Sequence, residues 1–364
     1  MPLKTTAGNH GAAAKGRGAT INPEGRFEKW ERGASDDGWF QDPGDEPSKP
    51  KRIIAIERAK SVISHNDSPD IGFSQSLNPY RGCEIGCSFC YARPSHAYLG
   101  LSPGIDWETR ISAKTNAAEV LREELAKPGY RCETIVIGVN TDAYQPIEKE
   151  HRITRSILEV AVETRHPVGL ITKSALIERD IDLIADLARD NLVSVSLTVV
   201  TLDHGISRYL EPRASAPARR LLAMKRLREA GIPVHVNVAP VIPFLTDSEL
   251  EAILEASKSA GVDAASYTLL RLPWEVKDIF KAWLEERFPL KAAHVMSRVH
   301  EMRGGRDNDP NFGTRMKGQG LWAELLKQRF AKACERIGLN QEHWGGLDTS
   351  RFKPPGRHGQ GALF

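Results

Sequence analysis

Asn78-Pro79-Tyr80-Arg81-Gly82-Cys83-Glu84-Ile85-Gly86-Cys87-Ser88-Phe89-Cys90-Tyr91-Ala92 sets three cysteines in the spacing C-x3-C-x2-C. Only Cys132 and Cys334 lie elsewhere, and an odd total with this clustering argues against a disulfide framework. A short loop can wrap so that three thiolates converge on one metal cluster. Gly82 and Gly86 relax the backbone at the turns such a loop needs. Three ligands on a four-iron cube leave one iron without a protein ligand, an open position for a cofactor or substrate. Two other readings stand beside it. Zinc would take His96 as a fourth ligand, but zinc ligands come as two close pairs, and no second pair lies near. Three small thiols can also simply pack in a core.

Outward from the loop, strand-like and helix-like stretches alternate. Residues 76–82 run extended into Cys83. Helical patterns at 114–127, 152–165, 176–190, 215–230 and 247–260 separate strands at 133–139, 168–172, 193–200, 233–238 and 264–270. Apolar runs such as Ile135-Val136-Ile137 and Val168-Gly169-Leu170-Ile171 suit a parallel sheet covered on both faces. About six β/α units predict an α/β fold, a partial (β/α)6 TIM-like barrel over 70–275, rather than a closed eight-stranded one. A helical C-terminal extension follows over 276–340. Residues 1–60 read as a mostly disordered basic, Gly-rich arm, within which Trp30, Trp39 and Phe40 can dock locally, and 341–364 as a mobile tail. Parallel sheets gather chemistry at the C-terminal ends of their strands, where the cysteines fall.

With 40% hydrophobic and 27% charged residues in 364, the composition is that of a globular protein. No apolar run approaches a membrane span, and no secretory signal core opens the chain, so a cytoplasmic protein without membrane association is expected. Net charge is +3, yet residues 208–228 hold Arg208, Arg213, Arg219, Arg220, Lys225, Arg226 and Arg228 against Glu211 alone. Such a cluster either meets phosphates or forms a solvated helix face. Arg303-Gly304-Gly305-Arg306 and Thr314–Gly320 are basic, Gly-bearing loops that can hold a phosphate or simply turn.

With the body that follows it, C-x3-C-x-aromatic-C resembles the signature of the radical S-adenosylmethionine (SAM) enzymes. Asn78–Cys83, Thr141-Asp142-Ala143-Tyr144-Gln145-Pro146 and Thr172-Lys173-Ser174 bring the chain closest to the spore photoproduct lyase-like (DNA repair photolyase-like) branch, over about residues 70–275. The resemblance implies a [4Fe-4S] cluster on Cys83, Cys87 and Cys90, with SAM on the open iron. It also implies a reducing donor such as flavodoxin or ferredoxin, and a 5′-deoxyadenosyl radical that attacks the substrate. Phe89, with Tyr91 beside it, would pack near the SAM adenine. By position, Thr141 and Asp142 would meet the SAM ammonium, Lys173 and Arg213 a carboxylate, and Ser196 the ribose hydroxyls. Spore photoproduct lyase proper carries a hydrogen-donating cysteine after the second strand. Here Gly138-Val139-Asn140-Thr141-Asp142 has none, so thymine-dimer repair is not expected, and Tyr144 is the substitute candidate. The function expected is a radical SAM enzyme, of lyase or transferase type, on a nucleic acid or nucleotide. A peptide or small-molecule substrate, or a non-catalytic iron–sulfur electron-transfer or sensing role, are the alternatives.

Overall fold

The computed structural model describes residues 16–28, 51–341 and 345–356. In chain order the strands are β1 (Ile53–Glu57), β2 (Ile63–His65), β3 (Gln75–Leu77), β4 (Tyr80–Arg81), β5 (Arg110–Lys114), β6 (Ile135–Ile137), β7 (Val168–Thr172), β8 (Val193–Thr198), β9 (Val234–Val241) and β10 (Ala264–Leu269). The helices are α1 (Ile105–Thr109), α2 (Ala117–Leu125), α3 (Glu148–His151), α4 (Ile153–Thr164), α5 (Ile181–Ala188), α6 (His204–Leu210), α7 (Pro217–Glu229), α8 (Leu250–Ser259), α9 (Val276–Arg287), α10 (Pro289–Met302) and α11 (Gly320–Ile337).

Seven strands form one sheet in the order β10-β9-β8-β7-β6-β3-β2. Six are parallel and β2 is antiparallel to β3, so β2 and β10 are edges and the barrel stays open. The register (Ile137 opposite Leu170, Leu170 opposite Val195, Ser196 opposite His235) brings the C-terminal ends of the strands to one edge. β6 is buried throughout, as its three apolar residues require. β8 and β9 differ from the continuous apolar pattern. Val193, Val195, Leu197, Val234, Val236 and Val238 are buried, while Ser194, Ser196, His235 and Asn237 alternate with them, half-buried. One face of these strands therefore packs on helices and the other is polar.

Helix ends follow local chemistry. Asp203 Oδ1 accepts from Ile206 N at 2.9 Å to cap α6, Pro217 opens α7, and Gly338 closes α11 in the left-handed region at φ 67°. α11 returns onto the body, with Arg329 paired to Glu251 at 2.7 Å and Phe330 packed 4.7 Å from Tyr267.

Three features depart from the sequence reading. A second sheet, β1-β5-β4, flanks the cysteine loop, and β1 lies inside the expected arm. Residues 16–28 of that arm are also packed, with Ala19 fully buried. Trp30, Trp39 and Phe40 lie outside the described residues. The described tail, 345–356, is docked: Lys353 N donates to Thr164 O at 2.8 Å, Asp348 N donates to Asn191 O at 2.9 Å, and the Phe352 ring lies 5.2 Å from His166. Among the described residues no helix is long and apolar enough to cross a membrane.

Candidate active site

β4 delivers the chain to Gly82 and Gly86, both in the left-handed region (φ 76° and 71°), and the loop between them turns back over the sheet edge. Its backbone is tied on several sides. Cys83 N donates to Trp107 O at 2.9 Å, Ser88 N to Leu210 O at 3.0 Å, and Ile85 O accepts from Arg213 N at 3.2 Å. Glu84 is fully buried. Its N donates to Gln145 Oε1 at 2.8 Å, and its Oε2 accepts from Ile147 N at 2.7 Å. A second buried carboxylate, Glu108, stands behind the loop. It pairs with Arg93 at 2.5 Å, both side chains being inaccessible, and accepts from Gly18 N at 3.0 Å and Ala19 N at 2.8 Å. Arg93 in turn donates to Cys87 O at 2.8 Å. Gly18 is obligatory there, since a Cβ would collide with the Gly86 carbonyl oxygen. Buried carboxylates thus satisfy backbone donors that a loop has no ladder to occupy.

Cys83, Cys87 and Cys90 are free, the first two 6% exposed and the third half-buried. Burial pushes all three thiols up, and the nearby carboxylates of Asp142 at Cys83 and Glu211 at Cys87 push further the same way, with Cys90 adding less to both. Backbone N–H groups of Asp142 and Ile85 oppose this at Cys83, those of Ala92 and Arg93 at Cys90, and the Lys173 ammonium at Cys87 and Cys90. Such thiols hold their protons until a metal displaces them. Among the described residues, no three His, Cys, Asp or Glu side chains converge as one ion would require. A cube asks for less convergence, with one sulfur per iron. The donor set suits it: three thiols on one loop, supported by N–H groups, with a cation beside them. His96 is engaged away from the thiols. Its Nε2 lies 3.0 Å from Arg110 O, its ring is edge-on to Trp107, and burial brings its pKa down to about 4.

The other candidates divide. Phe89 is buried with its ring 5.4 Å from Lys173 Nζ, and Tyr91 donates its hydroxyl to Val139 O at 2.5 Å. Arg213 reaches the loop through Glu84 at 3.4 Å, and half-buried Ser196 lies on the polar face of β8. Thr141 and Asp142 are occupied by the chain itself. Thr141 Oγ1 donates to Tyr80 O at 3.2 Å. Asp142 accepts from Tyr144 N at 2.8 Å, Thr172 Oγ1 at 2.7 Å and Lys173 N at 2.7 Å. The Lys173 charge is already met by Glu211 at 3.1 Å. Burial raises Glu211, but Arg220 and Lys173 more than offset it. Tyr144 is 1% exposed, packed 6.0 Å from the Arg179 guanidinium, and burial keeps its proton on. It belongs to the packing around Glu148 and Asp180 rather than to the mouth.

Sequence reasoning missed Glu84, Arg93, Glu108, Gln145 and Glu211, and also Arg271. Arg271 follows β10, its guanidinium 5.8 Å from the Tyr91 ring. Glu84 and Arg93 sit in or just after the motif and were findable there; Glu108 and Glu211 carry no local signal. The basic stretch 208–228 is largely consumed internally. Arg219 and Arg226 pair with Glu178, Arg228 with Asp263, buried Arg220 with Glu211, and Arg213 with Glu84.

An open parallel α/β sheet with a thiol-bearing loop at the C-terminal edge defines the class, and comparison with known proteins agrees. The family model described as the radical SAM superfamily matches residues 77–256. An uncharacterized protein of Mycobacterium tuberculosis is 34% identical over 274 residues, 74% of this chain and 76% of that one. An uncharacterized protein of Methanocaldococcus jannaschii is 29% identical over 237 residues, 65% of this chain and 84% of that one. Among solved structures, a spore photoproduct lyase mutant aligns with TM-score 0.56 at 14% identity, covering 84% of this chain and 88% of that one. Another, with bound AdoMet and dinucleoside spore photoproduct, aligns with TM-score 0.52 at 14% identity, covering 79% and 80%. The chain belongs to the radical SAM superfamily. Membership implies SAM and an iron–sulfur cluster; the spore photoproduct lyase structures share its fold.

Proposed function

We propose that this chain is a radical SAM enzyme that holds a [4Fe-4S] cluster through Cys83, Cys87 and Cys90, draws electrons from a flavodoxin- or ferredoxin-like donor, and acts on a nucleotide or nucleic acid. The observation that carries the cluster assignment is the seating of three free thiols on one loop, fixed from behind by Glu84, Glu108 and Arg93. When bound, the cluster and SAM would supply one-electron, hydrogen-abstracting radical chemistry at the substrate.

The chain's own part is positional. Buried carboxylates hold the loop in one geometry, and the buried run Gly18-Ala19-Thr20 keeps water from its rear. Arg213, on the rim and one-third exposed, is the cation best placed to take the SAM carboxylate; Lys173 is held nearby by Glu211. Phe89 and Tyr91 supply ring surface for the adenine, and Ser196 a hydroxyl for the ribose. Thr141 and Asp142 act through the backbone they brace. Anaerobic reconstitution followed by reduction with SAM tests the reading. The unaltered protein should show iron–sulfur absorbance and release 5′-deoxyadenosine, and Cys87→Ala should lose both. Persistence of both in that variant would sink the proposal.

A further inference from the structure

We infer that the pocket beside the end of β10, walled by Trp274, Lys277, Lys281, His300, Arg306 and Asp307, binds a nucleoside phosphate, with its phosphate on the cations and its base against Trp274. This rests on the nucleotide reading above and gives it a location. The cavity is about 540 Å³, within the range of small-molecule sites.

Its charge is unbalanced. Asp307 is the acidic side chain of the wall, and it is already taken: Oδ2 accepts from Lys281 Nζ at 2.8 Å, and Oδ1 lies 2.8 Å from His300 Nε2. Lys277 and Arg306 have no carboxylate partner among the described residues. Two unspent cations facing a concave surface are what an oxyanion requires. The contrast with α7, whose arginines are paired, makes this the stronger phosphate candidate. Trp274 is 61% exposed and carries the Arg26 guanidinium 4.1 Å from its ring centre, so it adds an aromatic surface already bordered by a cation.

The pocket is also linked to the thiol loop through the segment that leaves β10. Leu272 N donates to Asn308 Oδ1 at 3.2 Å, which pins the 303–308 turn to the segment leaving β10. Arg271, one residue earlier, faces Tyr91, the neighbour of Cys90. The two arginines of Arg303-Gly304-Gly305-Arg306 are separated by the fold. Arg303 is buried and donates to Leu270 O at 2.6 Å and Arg315 O at 2.8 Å, whereas Arg306 is exposed at the pocket.

The test uses the full chain and three probes: a labelled single-stranded deoxyoligonucleotide, adenosine monophosphate and pyrophosphate. Lys277→Glu with Arg306→Glu should weaken all three by about tenfold or more. For the oligonucleotide it should also flatten the slope of log affinity against log salt by about 1.4. Trp274→Ala should cost the oligonucleotide and the mononucleotide about fivefold or more, and pyrophosphate nothing. Arg219→Glu with Arg226→Glu should leave binding unchanged. Binding of the mononucleotide identifies a free nucleotide as the source, and binding of the oligonucleotide alone identifies a strand; either supports the pocket. Failure of every probe to bind, or a loss confined to the α7 variant, overturns it. Release of 5′-deoxyadenosine by the unaltered protein is read separately. Cleavage without probe binding sinks the pocket and the nucleotide substrate while the radical chemistry stands, and probe binding without cleavage sinks the radical reading alone.

Discussion

At the C-terminal edge of the sheet, the thiol loop is fastened by buried charge: Glu108 with Arg93, and Glu84 on the backbone of Ile147. At the N-terminal edge, the returning tail is fastened by Phe352 against Tyr130 and His166, and by backbone bonds to Thr164 and Asn191. A buried ion pair is a poor source of net stability but an expensive thing to break, because the survivor is left charged and unsolvated. Aromatic packing degrades gradually. The site edge is therefore built for one geometry, and the opposite edge for closure.

The sharpest way to break this comparison is Glu108→Gln. It keeps the shape, removes the charge, and leaves Arg93 unpaired inside the protein. Stability should fall by about 3–5 kcal/mol in denaturant melts, and iron retained per chain should fall with it. An unchanged midpoint would mean that buried charge does not fasten the loop.

Acid should act next, at the opposite edge. His166 is 1% exposed, and burial lowers its pKa from 6.5 to about 4. The unfolded chain takes up a proton below pH 6.5 that the folded protein refuses until about pH 4. The stability this group contributes is thus complete above pH 6.5 and is lost as pH falls from there to about 4, by about 3 kcal/mol. Melts across that window should show the loss, and His166→Gln should reduce the pH slope. Phe352→Ala should cost about 1–2 kcal/mol, since the ring is only half-buried, without lowering iron content. A fall in iron there would show that the two edges are coupled. The smallest effect is expected from Arg219→Ala, which breaks a partly exposed pair with Glu178 and should cost no more than about 1 kcal/mol.

The body of the fold was legible because its signals are local. Ile135-Val136-Ile137 and Val168–Thr172 are strands wherever they occur between helical periods, and three cysteines in eight residues are visible without a structure. What stayed hidden depends on partners distant in the chain. The segment 16–28 has no period and few aliphatic residues. It packs because Gly18 and Ala19 offer N–H groups to a carboxylate some ninety residues away. The arginines of α7 look like a phosphate-binding face in sequence, since Glu178 and Asp263, which pair with several of them, lie on other elements. Asp142 and Lys173 were placed at the right edge, but their hydrogen bonds and charges are already met by the chain. Strand β1 is not legible within the arm, because one short strand among charged residues carries no pattern until β5 pairs with it.

On the proposed assignment, three thiols hold a cube with one iron left for SAM. The most direct test is electron paramagnetic resonance of the anaerobically reconstituted, reduced protein, recorded without and with SAM. A [4Fe-4S]+ signal is expected, with g-values that shift when SAM is added. A signal that SAM leaves unchanged, or iron that stays bound in Cys83→Ala, Cys87→Ala and Cys90→Ala alike, would contradict it.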